Sequence, residues 1–153
     1  MRRLLPLFLL LTLLLTSCTE QPRLRVSAGH MTITPYEQFL GATTWQQHGW
    51  LAADGLPITG RWEEHADKLP TLHYSPDLRV IIRDDLIVDS VTISVYNAEK
   101  PDKGLLSAKL SDLDDLPEGS YYVCITVYFL GEYIEAGNGH EKTGLQYAFI
   151  LQK

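Results

Sequence analysis

The chain has 153 residues, of which 45% are hydrophobic and 21% are charged, and its formal net charge is −6. This length suits a single domain and excludes folds such as the TIM barrel, which need roughly 200 residues or more. The acidic balance argues against nucleic acid as a partner, because binding to phosphates requires clustered lysine and arginine. Two cysteines are too few for a disulfide-dense small protein.

The first seventeen residues have the pattern of a secretory signal. Arg2 and Arg3 give a basic start, an apolar run follows over residues 4–15, and the small residues Thr16 and Ser17 come next. The apolar run has about twelve residues, whereas a helix that spans a bilayer needs about 20. We therefore expect residues 1–17 to be a signal peptide and not a permanent membrane span.

The four residues Leu15-Thr16-Ser17-Cys18 resemble the lipobox of bacterial lipoproteins, which is a leucine, two small residues and a cysteine. In that family the cysteine thiol receives a diacylglycerol, and the cysteine becomes the mature N-terminus. The resemblance implies lipidation of Cys18 by fatty acyl chains such as palmitate. It also implies a location on the extracytoplasmic face of the cell membrane or outer membrane, because two or more acyl chains give a stable anchor. The alternative is a plain secreted protein in which Cys18 is incidental.

Beyond the predicted cut, residues 18–23 are mostly polar, contain Pro22 and show no periodicity, which indicates a short tether. No later linker divides the chain, so residues 24–153 are predicted to form one domain. Cys124 is the second cysteine, and a lipidated Cys18 would leave it without a disulfide partner. Because Cys124 has apolar and aromatic neighbours in the sequence, we expect it to be a buried thiol and not a nucleophile.

Strand patterns dominate the rest of the chain. Residues 23–27 and 31–34 could pair across a turn at Gly29, residues 42–46 could form a strand, and residues 55–60 look irregular. Alternating apolar and polar residues then predict half-buried strands. These predicted strands cover residues 78–83, 90–97, 121–130 and 145–151. Residues 105–113 fit either a single helical turn or a strand that pairs with its neighbour. Short strands separated by turns predict an all-β, antiparallel β-sandwich, with a small barrel as the competing architecture.

The residues Tyr122-Val123-Cys124 resemble part of the immunoglobulin-like domain, in which a tyrosine lies two residues before a cysteine at a sheet corner. In that family the tyrosine hydroxyl bonds to backbone a few residues upstream. The resemblance implies an immunoglobulin-like β-sandwich. The sequence departs from the family because no earlier cysteine is available to pair with Cys124 across the sheets.

All three tryptophans, Trp45, Trp50 and Trp62, lie close together in the sequence near His48. Aromatic side chains beside amides and an imidazole can form a platform that stacks on sugar rings or contacts another protein. These four residues are therefore the candidate binding surface. The alternative is that each indole covers the core, as large aromatic side chains usually do.

No sequence motif points to catalysis. The five histidines lack the spacing of a zinc motif, and no nucleophile motif is present, so we expect no catalytic residue, metal or cofactor. The sequence therefore favours a lipid-anchored binding module without enzymatic activity, with a protein, peptide or glycan of the envelope as its partner. Two alternatives stay open: a small envelope hydrolase that uses converging Asp, Glu and His side chains, and an accessory subunit of a transporter or sensor. The histidines are His30, His48, His65, His73 and His140.

Overall fold

The computed structural model describes residues 21–107 and 109–153. The predicted signal peptide of residues 1–17, Cys18 and the first part of the tether lie outside this part of the chain. The described residues form nine strands, and short 3₁₀ helices lie in the connections. The strands are β1 (Leu24–Ala28), β2 (Met31–Ile33), β3 (Tyr36–Gln46), β4 (Gly49–Asp54), β5 (Thr71–His73), β6 (Arg79–Ile82), β7 (Ile87–Asn97), β8 (Ser120–Ile134) and β9 (Gly139–Gln152).

Two sheets pack against each other, which confirms the predicted all-β sandwich. The smaller sheet has the strand order β2-β1-β6, and the larger sheet has the order β4-β3-β9-β8-β7. Neighbouring strands in both orders are antiparallel. The short strand β5 extends the larger sheet by pairing in parallel with the last residues of β9. No helix among residues 21–107 and 109–153 has both the length and the apolar character needed to cross a membrane.

Alternation along β8 and β9 places the main core between the sheets, as the sequence pattern predicts. Successive side chains of a strand point to opposite faces, so one set of alternate residues faces this core. From the smaller sheet, Leu24 and Val26 complete this core. The buried residues of the larger sheet that face it include Tyr121, Val123, Ile125, Val127 and Phe129 of β8 and Leu145, Tyr147, Phe149 and Leu151 of β9.

The N-terminal half is more regular than the sequence indicated. The predicted hairpin of β1 and β2 is present, but the predicted strand at residues 42–46 is part of the longer β3, which pairs with β4 up to Asp54. The turn between β3 and β4 is formed by Gln47 and His48, whose φ angles are 44° and 74°. Such left-handed turn positions usually hold Asn, Asp or Gly. This hairpin therefore lacks the sequence signal that normally reveals one.

The segment at residues 105–113 combines both of its predicted alternatives. Ser107 forms an isolated antiparallel bridge with Val95 of β7. A 3₁₀ helix then covers Leu110–Asp115, and its Leu113 side chain is buried.

A second hydrophobic cluster lies on the face of the larger sheet that points away from the smaller sheet. Residues 58–69 cover this outer face. Within them, Trp62 is 4% exposed, and its ring stacks on that of Tyr122 with centroids 4.6 Å apart and an interplanar angle of 8°. Cys124 belongs to this cluster and is 1% exposed, which confirms the prediction of a buried thiol.

The tyrosine whose hydroxyl bonds to upstream backbone is Tyr121, one residue earlier than predicted. Its hydroxyl donates to the carbonyl oxygen of Pro117 at 2.6 Å. Tyr122 lies on the opposite face of β8, where it stacks on Trp62, so the predicted assignment to Tyr122 is wrong. The physical reason is the strand alternation, which turns Tyr121 towards the core and Tyr122 away from it.

One end of the sandwich, which we call the hairpin end, carries the turns of two hairpins and the start of the described chain. The β3–β4 turn at Gln47 and His48 and the β8–β9 turn at residues 135–138 both lie there. The link from β6 to β7, residues 83–86, also lies at this end. The backbone N–H of Arg83 donates to the carbonyl oxygen of Arg23 at 2.9 Å, which places the entry of the chain beside that link.

Candidate functional site

The two hairpins meet because β3 pairs with β9. Thr43 and Lys142 are direct partners in this pairing, and both hairpins extend beyond this pair towards their turns. The backbone N–H of Trp45 donates to Oε1 of Glu141 at 3.1 Å, which ties the two hairpins together beyond the last paired residues. The hairpin end is therefore one connected surface and not two independent loops.

Trp45 and Trp50 form an aromatic pair on this surface. They are direct cross-strand partners in the β3–β4 hairpin. Their ring centroids are 5.3 Å apart at an interplanar angle of 75°, which is the edge-to-face arrangement that aromatic pairs favour. Trp50 remains 38% exposed. The pair thus holds one exposed indole in a fixed orientation.

Glycine in the neighbouring turn makes this arrangement possible. The indole N–H of Trp50 donates to the carbonyl oxygen of Gly137 at 3.3 Å. A Cβ on Gly137 would lie 2.7 Å from Cε3 of Trp45 and 2.8 Å from Cζ2 of Trp50, which is closer than real Cβ contacts occur. The two indoles therefore pack directly on the backbone of the β8–β9 turn.

A second aromatic pair extends the surface along β8 and β9. The rings of Tyr133 and His140 meet edge to face with centroids 5.0 Å apart, and Tyr133 is 48% exposed. The Tyr133 hydroxyl donates to Oδ1 of Asn138 at 2.9 Å. Nδ1 of His140 lies 3.1 Å from the carbonyl oxygen of Gly131, and a hydrogen bond there requires the proton on Nδ1, because a carbonyl oxygen only accepts. His48 is exposed at the tip of the other hairpin.

Of the four residues predicted to form a surface, the structure brings together Trp45, His48 and Trp50, but not Trp62. Trp62 stacks on Tyr122, whereas Trp45 lies near Glu141 at the other end of β9. From Tyr122 to Gly131, the residue that His140 contacts, β8 advances by about 30 Å. Trp62 therefore covers the outer face, as the alternative interpretation of the tryptophans proposed.

Sequence reasoning missed the contributions of Tyr133, Gly137 and His140 to this surface. Gly137-Asn138-Gly139 was recognisable as a turn, but no local signal shows that it packs on Trp45 and Trp50. The contact depends on the pairing of β3 with β9, which joins segments far apart in the sequence. An alignment showing correlated changes between the two turns is the kind of signal that reveals such a contact.

The five histidines are distributed over different parts of the molecule. His30, His48, His73 and His140 lie on β-turns or strands near the surface, whereas His65 is 6% exposed within the segment that covers the outer face. Neither ring nitrogen of His65 has a hydrogen-bond partner in the described structure, and its ring lies 5.3 Å from that of Tyr36. Among residues 21–107 and 109–153, no three His, Cys, Asp or Glu side chains are placed to share a metal ion.

The surroundings of Cys124 do not favour a reactive thiolate. Burial raises the pKa of this thiol from 9.0 to about 12, and a hydrogen bond with Thr126 opposes the shift only partly. A thiol that keeps its proton is a poor nucleophile and metal ligand. Cys124 therefore acts as a packing residue.

Comparisons of the chain with protein-family models, with curated proteins and with solved structures found no match.

Proposed function

We propose that the protein is a lipid-anchored domain on the extracytoplasmic face of a bacterial cell envelope and that it acts as a binding module. The anchor would be Cys18, after removal of residues 1–17. The basic start, the apolar run and the lipobox residues, in this order and spacing, support this part of the proposal. Two acyl chains on Cys18 would be enough for stable attachment to a membrane.

The observation that carries the binding role is the exposed indole of Trp50. An exposed large aromatic side chain is common as a single residue, but this one is oriented by Trp45 and by the carbonyl group of Gly137. Fixing the orientation before binding reduces the entropy lost on binding. Trp50 and Tyr133 together offer two exposed rings on one connected surface. The hairpin end is therefore our candidate binding surface.

We also propose that the protein is not an enzyme. The buried Cys124 thiol, with its raised pKa, supports this, because it removes the one cysteine in the described part of the chain as a nucleophile. An immunoglobulin-like relationship is a further proposal. The bond from the Tyr121 hydroxyl to Pro117 supports it, since such domains have a corner tyrosine that bonds upstream backbone.

A photoreactive amino acid placed at position 50 of the full chain tests the binding role in living cells. We expect irradiation to cross-link position 50 to an envelope component, because this side chain would be at the contact. Leu105 is the matched control position, since it is 52% exposed and lies near the opposite end of the sheet. Cross-linking that is no stronger at position 50 than at position 105 would contradict the proposal.

A further inference from the structure

We propose that the hairpin end lies against the lipid bilayer itself, with Trp50, Tyr133 and Ile87 in the headgroup region. This inference rests on the proposed lipid anchor at Cys18 and names the partner of the same surface. It commits to phospholipid and not to a protein or a glycan.

Only a short stretch of chain separates the proposed anchor from the folded domain. Two residues lie between Cys18 and Gln21, so three peptide links join them and their Cα atoms are at most about 11 Å apart, whatever the conformation between them. Gln21 is held against the domain, because Nη1 of Arg83 donates to its carbonyl oxygen at 3.1 Å. A lipidated Cys18 would therefore keep the membrane surface close to the region around Gln21 and Arg83.

Both hairpins point towards the side on which the chain enters the domain. Arg83 lies just before Ile87, and Ile87 pairs with Leu130 of β8. From Leu130, β8 continues to Ile134, which extends the hairpin by about 13 Å. The β3–β4 turn lies beside this extension. A membrane near Gln21 would thus meet the tips of both hairpins.

The exposed side chains at this end have the chemistry of a membrane interface. Ile87 is 61% exposed, Tyr133 48% and Trp50 38%. Tryptophan and tyrosine favour the boundary between headgroups and acyl chains, because their rings are apolar at one end and carry a polar group.

The hairpin end carries no excess of positive charge. Glu132 and Glu135 are exposed on the β8–β9 hairpin, and neither forms an ion pair with a described residue, so attraction to anionic lipid is not the driving force. Two ion pairs lie near this end, with nitrogen–oxygen distances of 2.5 and 3.0 Å, and they join Arg83 to Asp85 and Lys142 to Asp89. We therefore expect contact with zwitterionic lipid, and we expect it to change little with salt.

Contact-dependent quenching of tryptophan fluorescence tests this inference. The lipidated full-length protein, purified from membranes, is reconstituted into phosphatidylcholine vesicles that contain phosphatidylcholine brominated near the headgroup end of its acyl chains. Trp45 and Trp50 would be close to the bromines, whereas Trp62 is buried on the outer face about 30 Å further along the sheet. We expect the quenched fraction of the emission to fall in Trp50→Phe. We expect it to rise in Trp62→Phe, because this variant loses an emitter that is not quenched.

The anchor and the orientation can be separated in the same samples. The mass of the N-terminal peptide reports whether Cys18 carries lipid, independently of the fluorescence. If Cys18 carries lipid but no quenching occurs, or if the quenching is unchanged in Trp50→Phe, the inference is wrong. The hairpin end would then be a surface for a protein or glycan partner. An unmodified Cys18 would overturn the anchor and, with it, the inference.

Discussion

At the residue scale, the indoles of Trp62 and Trp50 lie in different surroundings. Trp62 and Trp50 are the same residue, yet one is 4% and the other 38% exposed. The sequence showed both indoles but did not predict which one is buried, because burial depends on which sheet face lies opposite each one. Cys124 was predictable as a buried thiol, since its neighbours in an alternating strand already indicated an apolar setting.

The buried thiol has a consequence at alkaline pH. The folded protein keeps the Cys124 proton up to a pKa of about 12, whereas the unfolded chain releases it near its ordinary pKa of 9.0. The stabilising contribution is therefore complete below pH 9 and is lost between pH 9 and 12. Over this range it decreases by about 1.4 kcal/mol per pH unit.

Denaturant unfolding of the parent and Cys124→Ala chains at several pH values measures this effect. All other titratable groups are the same in both chains, so their effects cancel in the difference. We expect the stability advantage of the parent to decrease from pH 9 to 12. A difference that stays constant over this range would show that the thiol does not keep its proton on folding.

Gly137 provides a test of the packing at the hairpin end. In Gly137→Ala the new Cβ would collide with both Trp45 and Trp50, so the indoles must move. Overpacking of this kind typically costs about 1–3 kcal/mol. Gly49→Ala is the matched control in the neighbouring hairpin, because a Cβ there meets nothing within 4 Å.

We expect Gly137→Ala to lower the free energy of unfolding and to change the near-ultraviolet circular dichroism of the indole pair. Gly49→Ala should alter both quantities little, by roughly 0.5 kcal/mol or less in stability. Equal effects of the two substitutions would argue against direct packing of the indoles on the β8–β9 turn.

At the scale of elements, the sequence predicted strands well where the pattern was local. The core-facing residues of β8 and β9 were predicted correctly, but Cys124 and Ala148 on the opposite faces are buried as well, and Val91 of β7 is 45% exposed. The β3–β4 hairpin was missed in part because Gln47 and His48 adopt left-handed conformations without glycine. The covering of the outer face by residues 58–69 could not be predicted, because an irregular segment carries no periodic pattern to identify its buried side.

This covering segment should contribute strongly to stability. Trp62 stacks on Tyr122 and lies over Cys124 and Ala148, so its truncation leaves a cavity. We expect Trp62→Ala to lower the free energy of unfolding by about 3–5 kcal/mol, as measured by denaturant titration. Trp50→Ala should cost clearly less, because its ring is partly solvated in the folded state. A smaller loss for Trp62→Ala than for Trp50→Ala would contradict the assignment of Trp62 to the core.

At the scale of the whole molecule, the anchor motif and the fold support the same orientation. The chain enters the domain beside Arg83, and the tips of both hairpins lie at that end. The sequence predicted the anchor and the sandwich, but not the position of the anchor relative to the hairpins. That position depends on long-range pairings, such as β1 with β6 and β3 with β9, which patterns in a single sequence do not specify.

The most direct test of the central claim is the mass of the N-terminal peptide of the protein extracted from cell membranes, compared with Cys18→Ala and with Cys124→Ala as the control. We predict that the parent and Cys124→Ala begin at Cys18 with a diacylglycerol on its thiol. We predict that Cys18→Ala lacks the lipid and leaves the membrane fraction while keeping its fold. A parent protein whose Cys18 is unmodified, or a Cys18→Ala protein that stays in the membrane fraction as the parent does, would contradict the lipid anchor.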